Sequence, residues 1–402
     1  MDKSLSYNRE IINWGFLLGY LGLFLVLPPI IGLPVVLYMV WKKNHPKYSD
    51  YLLLMACIAI YLGSINATKQ PSGDQVNYYV AYMNVPDIGF FKSLVYIYGT
   101  DYFVDPGRVN ISGEFMNGVY NYVGYYLTFG YYPLFAALYT FVEYLMIYLG
   151  LYKVFRKAQM PKYPIVCGII TLAFFYLFFQ YTLQIQKQFF AQAIMMYVLG
   201  SYAEKGKMTI RLWLIALCSI LTHASTGLFL PFLLFKPLRG RLNKKWMAFI
   251  ALMLFAFILY GPRMAENVAA EDSGVAGYGM KRFAESEGLE DEASSLVLSQ
   301  VLVIAVPMFI IVFRQLWMKR HVFIDNAQAF ILNITLLLLL AFMPFVYPFV
   351  SAKLPRRNFC LGVIAAVMFV WFYAKFSFIV WDYVPEWQIV AYPPIALISI
   401  GF

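Results

Sequence analysis

Long apolar runs alternate along the chain with short polar punctuation, and the runs are of membrane-crossing length. A helix needs about 20 apolar residues to span the hydrocarbon core. Read against their charged flanks, the runs predict spans near residues 15–41, 51–66, 131–152, 163–181, 188–203, 211–235, 246–261, 296–316, 327–349, 358–380 and 388–402. The first run is longer than one perpendicular helix requires and contains Pro28 and Pro29, which suits an interfacial piece followed by one span and leaves the side of the N-terminus open. The run 211–235 is interrupted by His223, Gly227 and Pro231 and has basic flanks at both ends, yet it is too short for two full crossings. A broken or re-entrant hairpin reconciles those charges, because irregular backbone at membrane depth is tolerated where it lines a cavity. A single crossing with a misplaced basic loop is the competing reading.

The polar punctuation has a sign. The segments 41–47, 153–162, 204–211, 236–245 and 314–321 carry more than half of the chain's 31 Lys and Arg, and by the orientation bias they belong in the cytoplasm. Residues 67–130 and 262–295 are longer and collect carboxylates instead, among them Asp74, Asp87, Glu114, Glu271 and Asp272. Both are expected as outer loops.

Composition agrees with this pattern and closes off other classes. Of 402 residues, 61% are hydrophobic and only 13% charged, which is not a soluble domain. The expected fold is an all-α polytopic integral membrane protein of about 10–11 transmembrane helices, folded as one membrane domain over residues 1–402, with the break near His223 and the two outer loops. The opening MDKSLSYNRE lacks the features of a cleaved signal, so the first span is expected to stay. A net charge of +10 does not indicate nucleic acid, because the cations lie in short clusters between spans without interleaved stacking aromatics. Cys57, Cys167, Cys218 and Cys360 sit in or beside apolar runs at spacings that suit neither zinc nor a disulfide framework.

Four cations break the orientation bias. One crossing beyond the basic loop at 314–321 delivers SAKLPRRN, residues 351–358, to the outside with Lys353, Arg356 and Arg357, and the same count puts Lys187 and Gln188 there. Ionisable groups held at membrane depth point to function. The guanidinium fork matches phosphate oxygens, so a lipid-linked diphosphate at the outer leaflet is the ligand these side chains suit; snorkelling toward lipid headgroups is the alternative. His223, followed by Ser225 and Thr226 at the interrupted span, either satisfies a backbone carbonyl or lines a reaction cavity as a partner for phosphate or sugar hydroxyls. No second histidine stands at ligand spacing, so a metal role is not expected. In the first outer loop Asp74 precedes Tyr78 and Tyr79. Rings bury the apolar face of a sugar, and Asp74 can serve as base toward an acceptor hydroxyl; an interfacial aromatic belt accounts for the tyrosines alone.

The order of GDQVNYYVAY at 73–82, IQKQFFAQAI at 185–194, THASTGLFLPFLL at 222–234, LPRRNFCLGV at 354–363 and WQIVAYPPIALI at 387–398 resembles the EpsG-like family of polysaccharide polymerases, related in role to Wzy O-antigen and capsule polymerases. One departure stands out: the family shows an Arg-Gln pair where this chain has Lys187 and Gln188, and lysine keeps the charge but loses the fork. The resemblance implies inverting, metal-independent and cofactor-free glycosyl transfer between polyprenyl-diphosphate-linked glycans at the outer face of a bacterial cytoplasmic membrane, with membrane lipids around it and a chain-length regulator as a candidate partner. Fitted to that reaction, the residues expected to be catalytic are Asp74, His223 and Arg357, and those expected to bind substrate or pyrophosphate are Lys187, Gln188, Lys353, Arg356, Arg357, Tyr78 and Tyr79. An O-antigen ligase acting on lipid A core and a flippase or exporter of lipid-linked sugars are the competing classes.

Overall fold

The structure is a computed structural model that describes residues 12–71, 74–95, 115–157, 160–174, 186–235 and 386–400, with 179, 183, 245, 366 and 369–370. It divides into two compact units, Met1–Leu230 with Asn358–Phe402, and Pro231–Arg357. The described residues of the second are 231–235 and 245, and the packing that follows is that of the first. Every regular element among the described residues is helical.

The N-terminal run folds as two helices, α1 (Trp14–Val26) and α2 (Pro29–Lys42). Asn13 caps α1 by accepting from the Phe16 amide at 3.1 Å. Leu27 precedes proline and is extended, as steric clash with the following ring requires, while Pro29 starts α2 where its missing N–H costs nothing. The expected span 15–41 is therefore two helices broken at Leu27 and Pro28. Both helices expose large apolar side chains, including Trp14, Leu18, Leu23, Ile30, Ile31 and Tyr38, the surface expected where the solvent is lipid rather than water.

α3 (Tyr48–Ala67) is buried on nearly all sides, and with α7 (Tyr132–Lys157) it is long and apolar enough to cross a membrane. Its 20 residues span about 30 Å. Asp50 in its first turn accepts from the Lys47 amide at 2.8 Å and pairs with Lys43. The segment expected as an outer loop is substantially helical: α4 (Asp74–Met83), α5 (Val85–Val95, kinked at Gly89) and α6 (Phe115–Leu127). The physical reason lies in its aromatics. Tyr82 stacks on Phe135 at 4.6 Å and packs edge-on to Tyr132 at 5.4 Å, so α4 has an apolar face that α7 covers.

α7 is the central helix. On one side the Asn66 amide of α3 donates to the Thr140 hydroxyl at 2.9 Å. On another side α7 packs against α9 (Gln186–Lys205), which follows α8 (Lys162–Ala173). α7 and α9 meet backbone to backbone, because a Cβ on Gly200 would overlap the Gly150 carbonyl, and one on Gly150 would overlap the carbonyl of Met196. α10 (Ile210–Thr222) is capped by Thr209, whose hydroxyl accepts from the Leu212 amide at 3.3 Å. His223 then turns extended, and a 3-10 helix (Ala224–Phe229) and α11 (Leu230–Leu234) follow. The expected interruption of this run thus falls at His223.

At the chain's end the structure departs from expectation. Residues 388–402 were expected as one span, but α12 (Glu386–Ala391) and α13 (Pro394–Ser399) are short helices divided at Tyr392 and Pro393, because neither proline can donate to the preceding turn. α13 packs on α3, and the Tyr131 hydroxyl reaches the carbonyl of Ile398 at 2.8 Å. The expected spans 246–261, 296–316, 327–349 and most of 358–380, and the loop 262–295, lie outside the described residues.

Three of the basic segments meet at one end of the bundle. Lys162 donates to the carbonyls of Trp41 and Lys43 at 2.7 and 2.8 Å, and Arg156 and Lys153 both reach Glu204. The opposite end carries the C-terminus of α3 and the N-termini of α7 and α9.

Candidate functional site

That opposite end is where the sequence-predicted polar residues among the described residues collect. Lys187 and Gln188 occupy the first turn of α9 and are half-buried. α10 returns beside α9, fixed by the buried Ser219 hydroxyl donating to the Ala191 carbonyl at 2.7 Å. The two helices run in opposite directions, so stepping one turn beyond Ser219 and one turn before Ala191 reaches the same level: Thr222 and His223 on α10, Lys187 and Gln188 on α9. Thr222 is in turn tied to α6, its hydroxyl 3.2 Å from that of Tyr120.

The environment of His223 fixes its tautomer. The backbone N–H of Ser225 points to its Nδ1 at 3.3 Å, with the Ser225 hydroxyl at 2.8 Å from the same atom. An amide can only donate, so Nδ1 accepts, and the proton of the neutral ring sits on Nε2. His223 is thereby set as a hydrogen-bond donor through Nε2 rather than as a free base. Its carbonyl accepts from the Thr226 hydroxyl at 3.0 Å, which holds the break itself in place.

Aromatic rings join these elements. Phe190, one turn into α9, lies 4.2 Å from the Tyr139 ring and 5.0 Å from that of Tyr120. Tyr79 of α4 stands edge-on to Tyr132 at 4.9 Å. Tyr82 shares a hydroxyl hydrogen bond with Thr128. Tyr78 and Tyr79 are both half-buried. The tyrosines expected as a sugar platform are thus partly consumed by packing: Tyr79 is a wall residue of the α4–α7 cluster. Asp74 is the first residue of α4.

The structure brings Lys187, Gln188, His223, Tyr78, Tyr79 and the start of α4 to one end of the bundle. Lys353, Arg356 and Arg357 lie outside the described residues.

Three residues at this end were not singled out from sequence. Lys69, just past the C-terminus of α3, is 6% exposed and, among the described residues, takes part in no ion pair. Burial pushes its ammonium down to about 8. Gln75 and Gln186 are 3% and 4% exposed, and among the described residues the side-chain oxygen of each has no hydrogen-bond partner. A signal for Lys69 did exist: TKQPSGDQ lies in the same expected outer loop as Asp74, where the orientation bias gives no reason for a cation. The glutamines carried no such mark, since burial of a neutral amide is a tertiary property.

No curated protein and no solved structure matches the chain. The family model described as EpsG family matches residues 89–381, a stretch that contains Lys187, Gln188, His223, Lys353, Arg356 and Arg357 and leaves Lys69, Asp74, Tyr78 and Tyr79 before it. With most of its length matched, the chain belongs to the EpsG family.

Proposed function

We propose that this protein is a membrane glycosyltransferase that polymerises polyprenyl-diphosphate-linked oligosaccharide repeat units at the outer face of a bacterial cytoplasmic membrane. The observation that carries the reading is the division of charge between the bundle's ends. Lys153, Arg156 and Glu204 gather with the basic segments at one end, while Lys69 and Lys187 stand at the other, where orientation alone gives no reason for cations. Membership of the EpsG family supports a polysaccharide polymerase-like role in general, and the exposed apolar faces of α1, α2 and α10 suit a lipid surround.

In this reading the acceptor's sugar hydroxyl attacks the anomeric carbon of the donor. The new glycosidic C–O bond forms as the bond from that carbon to the diphosphate oxygen breaks, inverting the centre, and the diphosphate departs with its lipid. Lys187 with Arg356 and Arg357 stabilises the charge growing on the leaving oxygens, and Lys353 adds to the field. His223 donates from Nε2 to an anionic or sugar oxygen. The hydroxyl proton then falls to a carboxylate, and Asp74 at the start of α4 is the candidate. Tyr78 offers the ring face for a sugar.

The test supplies purified protein in liposomes with its lipid-diphosphate-linked repeat unit alone and resolves products on a glycan gel. A ladder is expected, and Arg357→Ala should abolish it at unchanged protein level. A single transfer only when lipid A core is added would identify a ligase instead. Movement of intact lipid across the bilayer with no new glycosidic bond would identify a transporter.

A further inference from the structure

Lys69, Gln75 and Gln186 form a set whose unmet needs describe one ligand. Each is more than nine-tenths buried, where an unpaired polar group is costly and a lone charge more so. The ammonium of Lys69 calls for an anion, and the amide oxygens of Gln75 and Gln186 call for hydrogen-bond donors. The fold places the three around the first two turns of α7. Lys69 lies three residues beyond Asn66, which is bonded to Thr140 and reaches the Ala136 carbonyl. Gln186 lies one turn before Phe190, which packs on Tyr139. Gln75 lies one turn before Tyr79, which packs on Tyr132. At 1.5 Å of rise per residue, Lys69 and Gln186 come to nearly one level along α7, with Gln75 toward the tip.

An anion without hydroxyls would satisfy the lysine and leave both amide oxygens unmet, and a neutral sugar would meet the amides without neutralising the ammonium. We propose that the rim formed by the end of α3 and the first turns of α4 and α9 binds a glycosyl phosphate, its phosphate on Lys69 and its sugar hydroxyls on the amide oxygens of Gln75 and Gln186. Resting on the polymerase reading, this assigns the rim to the donor, because the acceptor's reacting sugar bears hydroxyls but no phosphate. Lys187, next to Gln186 in sequence, is at hand for the second phosphate of a diphosphate.

The experiment measures equilibrium binding of a hexose 1-phosphate, of inorganic phosphate and of the free hexose to the full chain in phosphatidylcholine nanodiscs. The hexose 1-phosphate should bind about tenfold or more tighter than either fragment, the scale of a hydrogen bond to a charged group. Lys69→Met should abolish this binding and Lys69→Arg should retain most of it. Gln75→Leu and Gln186→Leu should each reduce hexose 1-phosphate affinity toward that of inorganic phosphate, so the proposal stays testable even where Lys69→Met fails to fold. Unchanged affinity in Lys69→Met, or in both glutamine variants, overturns it. Loss of hexose 1-phosphate binding in nanodiscs rich in phosphatidylglycerol would assign the rim to a lipid headgroup and overturn the glycan assignment. Polymer formation with unchanged Lys69→Met binding would refute this inference alone. Intact rim binding without a ladder would refute the polymerase reading alone.

Discussion

The hydroxyl of Ser219 donates to the carbonyl of Ala191 at 2.7 Å, and this one bond sets the level at which α10 ends against α9. Because the helices run in opposite directions, it brings the break at His223 to the first turn of α9, where Lys187 and Gln188 sit. Residues 36 positions apart in sequence thus come to one level of the bundle.

His223 accepts at Nδ1 from a backbone amide, so its contribution is a donated Nε2 proton. His223→Gln retains a donor and should keep part of the polymerising activity, whereas His223→Ala should lose roughly a hundredfold or more, the lower range for a positioned proton-bearing group. Rates of ladder formation for the two variants decide the matter: equal and near-normal rates would leave His223 as a structural cap alone.

The seam of α7 and α9 depends on glycine. A methyl on Gly200 would meet the Gly150 carbonyl, so Gly200→Ala must part the helices and should cost about 1–3 kcal/mol. Gly22 of α1 has open space around it, and Gly22→Ala should be neutral or stabilising by up to about 1 kcal/mol. Melting of the two variants in one detergent is the check, and equal melting temperatures would contradict the seam.

Glu143 lies in the interior of α7, fully buried, and among the described residues neither carboxylate oxygen has a hydrogen-bond partner. Nothing in the proposed reaction uses it. Replacing an unpaired buried acid with an apolar residue of similar size is expected to stabilise, so Glu143→Leu should raise the melting temperature, by about 1–3 kcal/mol in free energy. A marked drop instead would mean that Glu143 holds something the bundle needs.

Lys69 predicts a pH dependence of stability. Its folded-state value is lowered to about 8 from an ordinary 10.5, so between those values the unfolded chain binds more protons than the folded one, and this group makes stability rise with pH. Below pH 8 the buried ammonium is a constant cost. Lys69→Met should therefore melt above the wild type at pH 7, and the gap should narrow as the pH is raised toward 10. A gap that widens over that range would contradict the burial of this lysine.

The apolar runs and their charged flanks were enough to place α3, α7, α9 and α10, and the break at His223, because covering the backbone in lipid leaves helices as the available form and Gly and Pro mark where they stop. The order of short motifs was enough to indicate the family. The helices of 74–127 were not read from the same pattern, since their tyrosines and asparagines look like loop residues until α7 supplies an apolar partner. Residues 388–402 erred the other way: their apolar count hid two prolines that end helices. Lys187, Gln188 and His223 were legible as candidates because a cation in an expected outer turn, or a lone histidine in a broken span, stands out against its neighbours. Whether a polar group is buried and unmet depends on what packs over it, and sequence does not encode that locally. Only the meeting of α3, α4 and α9 around α7 decided that Lys69, Gln75 and Gln186 are enclosed, and it did so by removing the water that would otherwise have satisfied them.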